Sequence, residues 1–439
     1  MKIAVAGTGY VGLVTAVVLS EIGHEVICVD VDENKIKMMQ ADKSPIYEEG
    51  LEELMIKNRE RLLYTSDYKS AYNGADVIFI GVGTPEREDG SANLDYVFQV
   101  ARQIAESITN DCIIVVKSTV PIGTNEKVEE IIRDIVKNNF EIHVVSNPEF
   151  LAQGTAVRDS LYASRIVVGV NDDKAKEIMR ELYKPLTEEP YNVPYLTMNR
   201  KSAEMVKYAS NDFLALKISY INEISNFCEK IGADITEVTA GMSYDQRIGS
   251  KFLNSGIGYG GSCFGKDTKA LHWLSVQEEC ELKTVKACIE VNKNQKIRLF
   301  RKFKNDYNNE IQGKKVAVLG ATFKPGTDDL RDAPSIENIK LLLEHGCEVS
   351  AYDPIGLENL KKVFGEQILY YTNIDECIRN KDVTFIMTEW KTIKNYDLKN
   401  YKVLMNDAVV YDGRNCYSLE NAEEAGIIYI SMGRKRILL

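Results

Sequence analysis

Lys2-Ile3-Ala4-Val5-Ala6-Gly7-Thr8-Gly9-Tyr10-Val11-Gly12 is the stretch whose reading decides the fold. A short, mostly apolar run gives way to a glycine-spaced turn, and Leu13/Val17 and Val14/Val18 then recur at helical spacing. A second run, Glu25 to Val29, ends at Asp30. Strand, glycine turn, helix, strand and acid in that order form the context in which GxGxxG reads as a dinucleotide fingerprint rather than a mere tight turn. Gly7 allows the turn, Gly9 lets backbone approach a pyrophosphate, and Gly12 permits close helix–strand packing. The helix N-terminus then faces negative charge. Asp30, 18 residues beyond Gly12, is placed to accept from a ribose 2′-OH and to repel a 2′-phosphate. The expected cofactor is therefore NAD, not NADP.

Further strands follow the same pattern. Asp76–Ile80 runs into Thr84-Pro85, Ile113–Val116 into Lys-Ser-Thr119, and Ile142–Val145 into Ser-Asn-Pro-Glu149. In a parallel doubly wound sheet these carboxyl ends line the ligand crevice. Thr84, Thr119 and Glu149 would each read singly as turn or cap residues, but their recurrence at successive strand ends points to a site.

The middle of the chain reads as helical. Ala203, Val206, Ala209, Phe213, Leu216, Tyr220, Ile224 and Phe227 recur at three- and four-residue spacing, predicting one helix from Asn199 to Ile231. Lys207 and Asn211 share a face of it; that face is otherwise polar, and a solvated surface is its default reading. A helix this long, with little else to pack on, suits a domain spacer and dimer interface. Further helices are predicted at Asp267–Glu279 and Glu281–Lys304. Before them lies Phe252-Leu-Asn-Ser-Gly-Ile-Gly-Tyr-Gly-Gly-Ser-Cys-Phe-Gly-Lys-Asp-Thr268, with Gly256, Gly258, Gly260 and Gly261 within six positions. Glycines at that density allow backbone to approach a bulky or anionic ligand. Cys263, Lys266 and Asp267 follow at once, a thiol near a cation and a carboxylate able to cap or to handle protons.

A second α/β unit begins at Lys314-Lys-Val-Ala-Val-Leu-Gly320, and its strand Glu348–Tyr352 ends at Asp353. Here a loop bearing Lys324 and Arg331 replaces GxGxxG, so a second dinucleotide is not expected; the two cations suit phosphate of a different ligand. The expected fold is α/β, with two Rossmann-like doubly wound domains joined by a helical middle domain with a long central helix. Boundaries are expected at 1–197, 198–309 and 310–439.

A chain of 439 residues calls for two or three domains. A net charge of −11 argues against a nucleic-acid or anionic-membrane partner. Nine scattered cysteines show no metal-ligand or redox-pair spacing, so no metal is expected and a reducing compartment is. The N-terminus leads straight into the first strand rather than a signal peptide, no apolar run reaches membrane-spanning length, and a cytoplasmic location is expected.

Taken together, GxGxxG, KSTVPIGT, SNPEF, AEMVKYASN, DQRIGSKFLNSGIGYGGSCFGKD, FKPGTDDLRDAPSI and TEW, in that order over essentially the whole chain, resemble the UDP-glucose/GDP-mannose dehydrogenase family. The FLNSGIGYGG loop, the SCF context and TEW tilt the resemblance toward UDP-glucose. It implies NAD-dependent four-electron oxidation of UDP-glucose to UDP-glucuronate by a homodimer. Cys263 is then the nucleophile, with Lys207 and Asn211 stabilising negative oxygen. Asp267 with Thr119 positions a water and relays protons, and Glu149 helps the thioester step. Gly7, Gly9, Tyr10, Val11, Gly12, Asp30, Lys35, Thr84, Thr119, Gln153, Lys266 and Arg331 are implied to hold NAD. Phe150, Leu151, Phe252, Leu253, Asn254, Ser255, Gly256, Tyr259, Gly260, Lys324 and Arg414, with Lys207 and Asn211, are implied around the sugar nucleotide. Arg247 is implied to reach the ligand of the neighbouring subunit. Two positions depart from the family pattern. Gln153 stands where a carboxylate is usual, and Gly265 where proline is common, which implies a looser nucleophile loop. A two-electron dehydrogenase of another specificity and a non-catalytic NAD-binding regulator are the competing readings; the latter would lack the Lys207, Asn211, Cys263 and Asp267 set.

Overall fold

The computed structural model describes residues 1–438 and falls into two compact units, Met1–Ser210 and the chain from Asn211 onward. The first is built on an eight-stranded sheet: β1 (Lys2–Ala6), β2 (Glu25–Val29), β3 (Leu62–Thr65), β4 (Val77–Ile80), β5 (Cys112–Val116), β6 (Ile142–Ser146), β7 (Ile166–Gly169) and β8 (Tyr195–Met198), in spatial order 3-2-1-4-5-6-7-8. Its pairs are parallel except β6 with β7. The central strands β4 and β5 are buried along their full length, because apolar cores cover both faces of the sheet. The order reverses between β1 and β4, the switch point at which such sheets bind ligands.

The second unit carries a six-stranded, all-parallel sheet in order 11-10-9-12-13-14: β9 (Lys315–Leu319), β10 (Glu348–Tyr352), β11 (Leu369–Tyr371), β12 (Val383–Ile386), β13 (Val409–Asp412) and β14 (Ile428–Ile430). The two sheets are the two Rossmann-like halves that the sequence predicts.

One helix, Arg200–Ile231, runs through the junction of the units. Asn199 Oδ1 caps its start by accepting from Ser202 N at 2.8 Å. Gly232, at φ +77°, ends it. Its predicted polar face is not solvated: Glu204, Lys207 and Asn211 are all buried. The helix after the glycine loop spans Phe264–Gln277, three residues earlier than predicted. Cys263 is its N-cap, with its carbonyl accepting from Asp267 N at 2.8 Å. Asp267 thus lies inside the first turn rather than opening the helix. The predicted Glu281–Lys304 helix is two, Lys283–Lys296 and Arg298–Asp306. No Gly or Pro marks the break. Asn338 Nδ2 donates to the Lys296 carbonyl at 2.7 Å, a tertiary contact at the junction that local periodicity does not register.

Candidate active site

The fingerprint turn in the first unit behaves as its glycines require. Gly7 has φ +93°, and its N–H donates to Val29 O at 2.7 Å. A Cβ on Gly12 would lie 1.9 Å from Gly7 O, so nothing larger fits. A Cβ on Gly9 would meet nothing within 4 Å. Gly9 is the N-cap of helix Tyr10–Glu21 and offers no side chain to its first N–H groups, leaving them and the helix dipole for an anion. Asp30 accepts from Thr8 N (2.9 Å), Thr8 Oγ1 (2.5 Å) and Asp32 N (3.0 Å), with Lys35 Nζ 4.0 Å away. Burial works against its ionisation, but these bonds and the Lys35 charge more than offset it and hold the carboxyl below its usual range. Ser118 Oγ donates to Val82 O (2.6 Å) and Thr84 Oγ1 to Thr119 O (2.8 Å), tying the ends of β4 and β5 together. Gly7, Gly9, Tyr10, Val11, Gly12, Asp30, Lys35, Thr84 and Thr119 stand at or just beyond the carboxyl ends of β1, β2, β4 and β5, and no protein atom lies within 4 Å of a Cβ placed on Gly9.

A second cluster in the same unit gathers round Glu149. Lys207 Nζ donates to Glu149 Oε1 at 2.8 Å, both side chains being almost fully buried. The other carboxylate oxygen accepts from Leu151 N at 2.7 Å. Phe150 is overlaid by Arg165 at 3.8 Å and Lys207 at 5.6 Å. Gln153 is buried, and the next residue, Gly154, donates its N–H to Glu48 Oε2 at 2.8 Å. Two members escaped the sequence reading. Glu204 accepts from Gly123 N (2.7 Å) and from Asn125 N (3.0 Å) and Nδ2 (2.6 Å), anchoring the KSTVPIGT loop to the long helix. Its signal was there, three residues before Lys207 on the same face. Lys117 donates to Asn147 Oδ1 at 3.0 Å. Burial, partly opposed by Glu149 and reinforced by Lys207, lowers its amine to about 8.

The glycine loop and the cysteine lie in the second unit. Gly256 N donates to Asn222 Oδ1 (2.8 Å) and Gly256 O accepts from Gln295 Nε2 (2.6 Å). Tyr259 exchanges both backbone bonds with the Asn292 amide. Cβ atoms on Gly258 and Gly260 would stand 2.5 Å from Asn292 Oδ1 and 2.4 Å from Asp332 O. These neighbours fix the loop backbone in place. Phe252, at φ +65°, is a strained entry to it, Leu253 and Ser255 are buried and Asn254 is exposed. Arg414 closes one side by donating to Gly258 O (3.1 Å), Met387 O (2.9 Å) and Phe323 O (3.4 Å). Lys324 lies 5.6 Å over the Phe323 ring. Arg331 accepts at its carbonyl from Gly261 N (2.8 Å) while its guanidinium chelates Asp329. A Cβ on Gly265 would meet the Asp332 carboxylate end, Oδ2, at 2.5 Å. Arg247 projects into solvent, paired only to its near neighbour Asp245 among the described contacts.

Cys263 stands out among the nine cysteines. Six are buried; desolvation pushes the thiols of Cys112 and Cys377 up to about 12 and that of Cys347 to about 11, which makes them inert. Cys263 is exposed at a helix N-terminus, where the partial positive charge favours an anion. One turn on, Asp267 accepts on both oxygens, from Asn211 Nδ2 at 2.7 Å and Lys266 Nζ at 2.5 Å.

A dinucleotide fingerprint at the switch point of one Rossmann sheet, a second Rossmann-like sheet, a glycine-rich loop and an exposed cysteine one turn from a fixed carboxylate are the marks of an NAD-dependent dehydrogenase of the double-Rossmann class. Family models agree along the chain. The NAD binding domain of the UDP-glucose/GDP-mannose dehydrogenase family matches residues 1–187, its central domain 201–294, and its UDP binding domain 317–419. The chain belongs to the UDP-glucose/GDP-mannose dehydrogenase family, and NAD is its cofactor. It is 46% identical over 440 residues to a UDP-glucose 6-dehydrogenase of Bacillus subtilis, covering 100% of this chain and 99% of the relative. A UDP-glucose 6-dehydrogenase of Rhizobium meliloti is 43% identical, covering 99% of this chain and 100% of the relative. Among solved structures, a UDP-glucose dehydrogenase from Pyrobaculum islandicum superposes with TM-score 0.91 at 35% identity, covering 99% of this chain and 98% of its own.

Proposed function

We propose that this enzyme oxidises UDP-glucose to UDP-glucuronate through a covalent intermediate on Cys263. Full-length relatives of that activity support the substrate. The single observation that carries the mechanism is the helical turn from Cys263 to Asp267, which joins an exposed thiol to a carboxylate fixed by Asn211 and Lys266. NAD supplies the hydride acceptor for both oxidations. The substrate's C6 alcohol first loses a hydride and a proton to give an aldehyde. The Cys263 thiolate adds to that carbonyl, giving a thiohemiacetal whose oxygen Asn211 stabilises. Loss of a second hydride leaves a thioester. Asp267 positions the water that cleaves it, and the thiol is regenerated with release of the acid; the family resemblance implies Lys207, Thr119 and Glu149 as helpers in these steps. The Phe252–Gly260 cradle with Lys324 and Arg414 holds the sugar nucleotide.

The three-domain division at 197/198 and 309/310 is part of this reading, as is a homodimer. Its support is the seven-residue repeat of exposed apolar side chains Phe213, Tyr220 and Phe227 on the long helix, near which Arg247 would act across the interface. No described helix is long and apolar enough to cross a membrane, and a cytoplasmic site of action is part of the same reading. Incubating the purified protein with NAD and a panel of UDP- and GDP-sugars tests it: two NADH per UDP-glucose with UDP-glucuronate as product is the expected result. One NADH per sugar, or turnover confined to another sugar, would overturn it.

A further inference from the structure

Asp212 follows Asn211 on the long helix, is 6% exposed, and neither of its carboxylate oxygens has a hydrogen-bond partner. A buried, unpartnered carboxylate is costly, whereas the neutral acid is far less so. The groups that face it come from three elements: Asp267, with its ion partner Lys266, on helix Phe264–Gln277; Tyr259 on the glycine loop; and Cys288 on helix Lys283–Lys296. Tyr259 OH and Cys288 Sγ sit 3.6 Å apart, and burial raises both, so they stay neutral near physiological pH. The charge acting on Asp212 is that of Asp267.

Hydrogen bonding alone partitions the proton between the two acids. Asp267 receives a donor on each oxygen, an arrangement that requires carboxylate. Asp212 receives none and is the member that carries the proton. We propose that Asp212 is a positioning residue acting through Asp267: protonated, it leaves Asp267 the only charged carboxylate of the pair, and its ionisation stops the reaction on the alkaline side. Once Asp212 loses its proton, two buried negative charges act on one another. The second charge opposes the oxyanion that Asn211 stabilises. Burial first, then the Asp267 charge, push the Asp212 carboxyl up to about 8.

This inference rests on the roles proposed above for Asn211 and Asp267. Its test compares wild type with Asp212→Asn, which keeps the neutral shape and cannot ionise. With saturating UDP-glucose and NAD, kcat of the wild type should fall roughly tenfold per unit above about pH 8, and Asp212→Asn should lose that alkaline limb. Lys117 titrates in the same range, so the difference between the two proteins, not the wild-type profile, is the readout. Infrared spectra of the ligand-free wild type give a second measurement that needs neither turnover nor the variant's activity. A protonated-carboxyl band should be present near neutral pH and bleach across about pH 8; in Asp212→Asn that bleach should be missing. An identical alkaline limb in both proteins, or no protonated-carboxyl band in the wild type, would sink the proposal. If UDP-glucose is not oxidised at all, the functional reading falls while the band still reports the state of Asp212.

Discussion

The two Rossmann sheets begin with the same sentence of structure and spend it differently. In each, a first strand ends in a glycine with positive φ, Gly7 at +93° and Gly320 at +85°, and the next strand ends in an aspartate, Asp30 or Asp353. Asp353 is 2% exposed and saturated by its own chain. It accepts from Ala321 N (2.7 Å), Thr322 N (3.1 Å), Ile355 N (3.0 Å), Gly356 N (2.7 Å) and Trp390 Nε1 (3.2 Å). Asp30 is less enclosed and has fewer partners. Behind Gly7 the helix starts at the open Gly9; behind Gly320 a Cβ would strike Thr388 at 2.5 Å, and an extended loop follows before the helix Pro334–Glu344. One acid is left with fewer partners, as the proposed cofactor contact requires, and the other stitches a loop. The same topological slot therefore does not imply the same function.

The largest effect expected of a single change is at Gly12. Gly12→Ala puts a methyl 1.9 Å from Gly7 O, and soluble, NAD-binding protein should not be recovered; a folded variant with normal NAD affinity would show that helix and strand are less tightly apposed than described. Next comes Asp353→Ala, which strands several buried N–H groups at about 1–3 kcal/mol each and should lower stability by roughly 5 kcal/mol in denaturant unfolding. Stability unchanged within about 1 kcal/mol would mean that Asp353 is not the stitch it looks to be. Asp30→Ala should act mainly on the cofactor. One lost hydrogen bond to a charged group, worth about 1.5–3 kcal/mol, lowers kcat/KM for NAD roughly 10- to 100-fold, while NADP, no longer repelled, gains relative to NAD. Unchanged discrimination between the two would break the contrast between the sheets.

The parts legible in the sequence are those written locally. GxGxxG and the loop from Phe252 to Asp267 each carry their reading in a few consecutive residues, whereas Thr84, Thr119 and Glu149 take theirs from recurrence at successive strand ends. What escaped depends on partners far along the chain. Glu149 and Lys207 are 58 residues apart and Asn211 and Asp267 are 56 apart, so the face of the long helix that looked solvated is buried. Asp212 reads as an ordinary surface acid between Asn211 and Phe213 until its lack of partners is seen. The break between Lys296 and Arg298 follows no Gly or Pro and coincides with an amide donated by Asn338.

The central claim is that Cys263 forms the covalent bond to the sugar. The direct measurement is intact-protein mass spectrometry of Cys263→Ser after incubation with UDP-glucose and NAD. A serine hydroxyl is far less ionised than a thiol near neutral pH, and an oxygen ester formed there hydrolyses less readily. The expected result is a protein-bound adduct or retained aldehyde, with UDP-glucuronate release essentially abolished. Near-normal release of UDP-glucuronate, with two NADH per sugar and no adduct, would show instead that Cys263 only packs its loop.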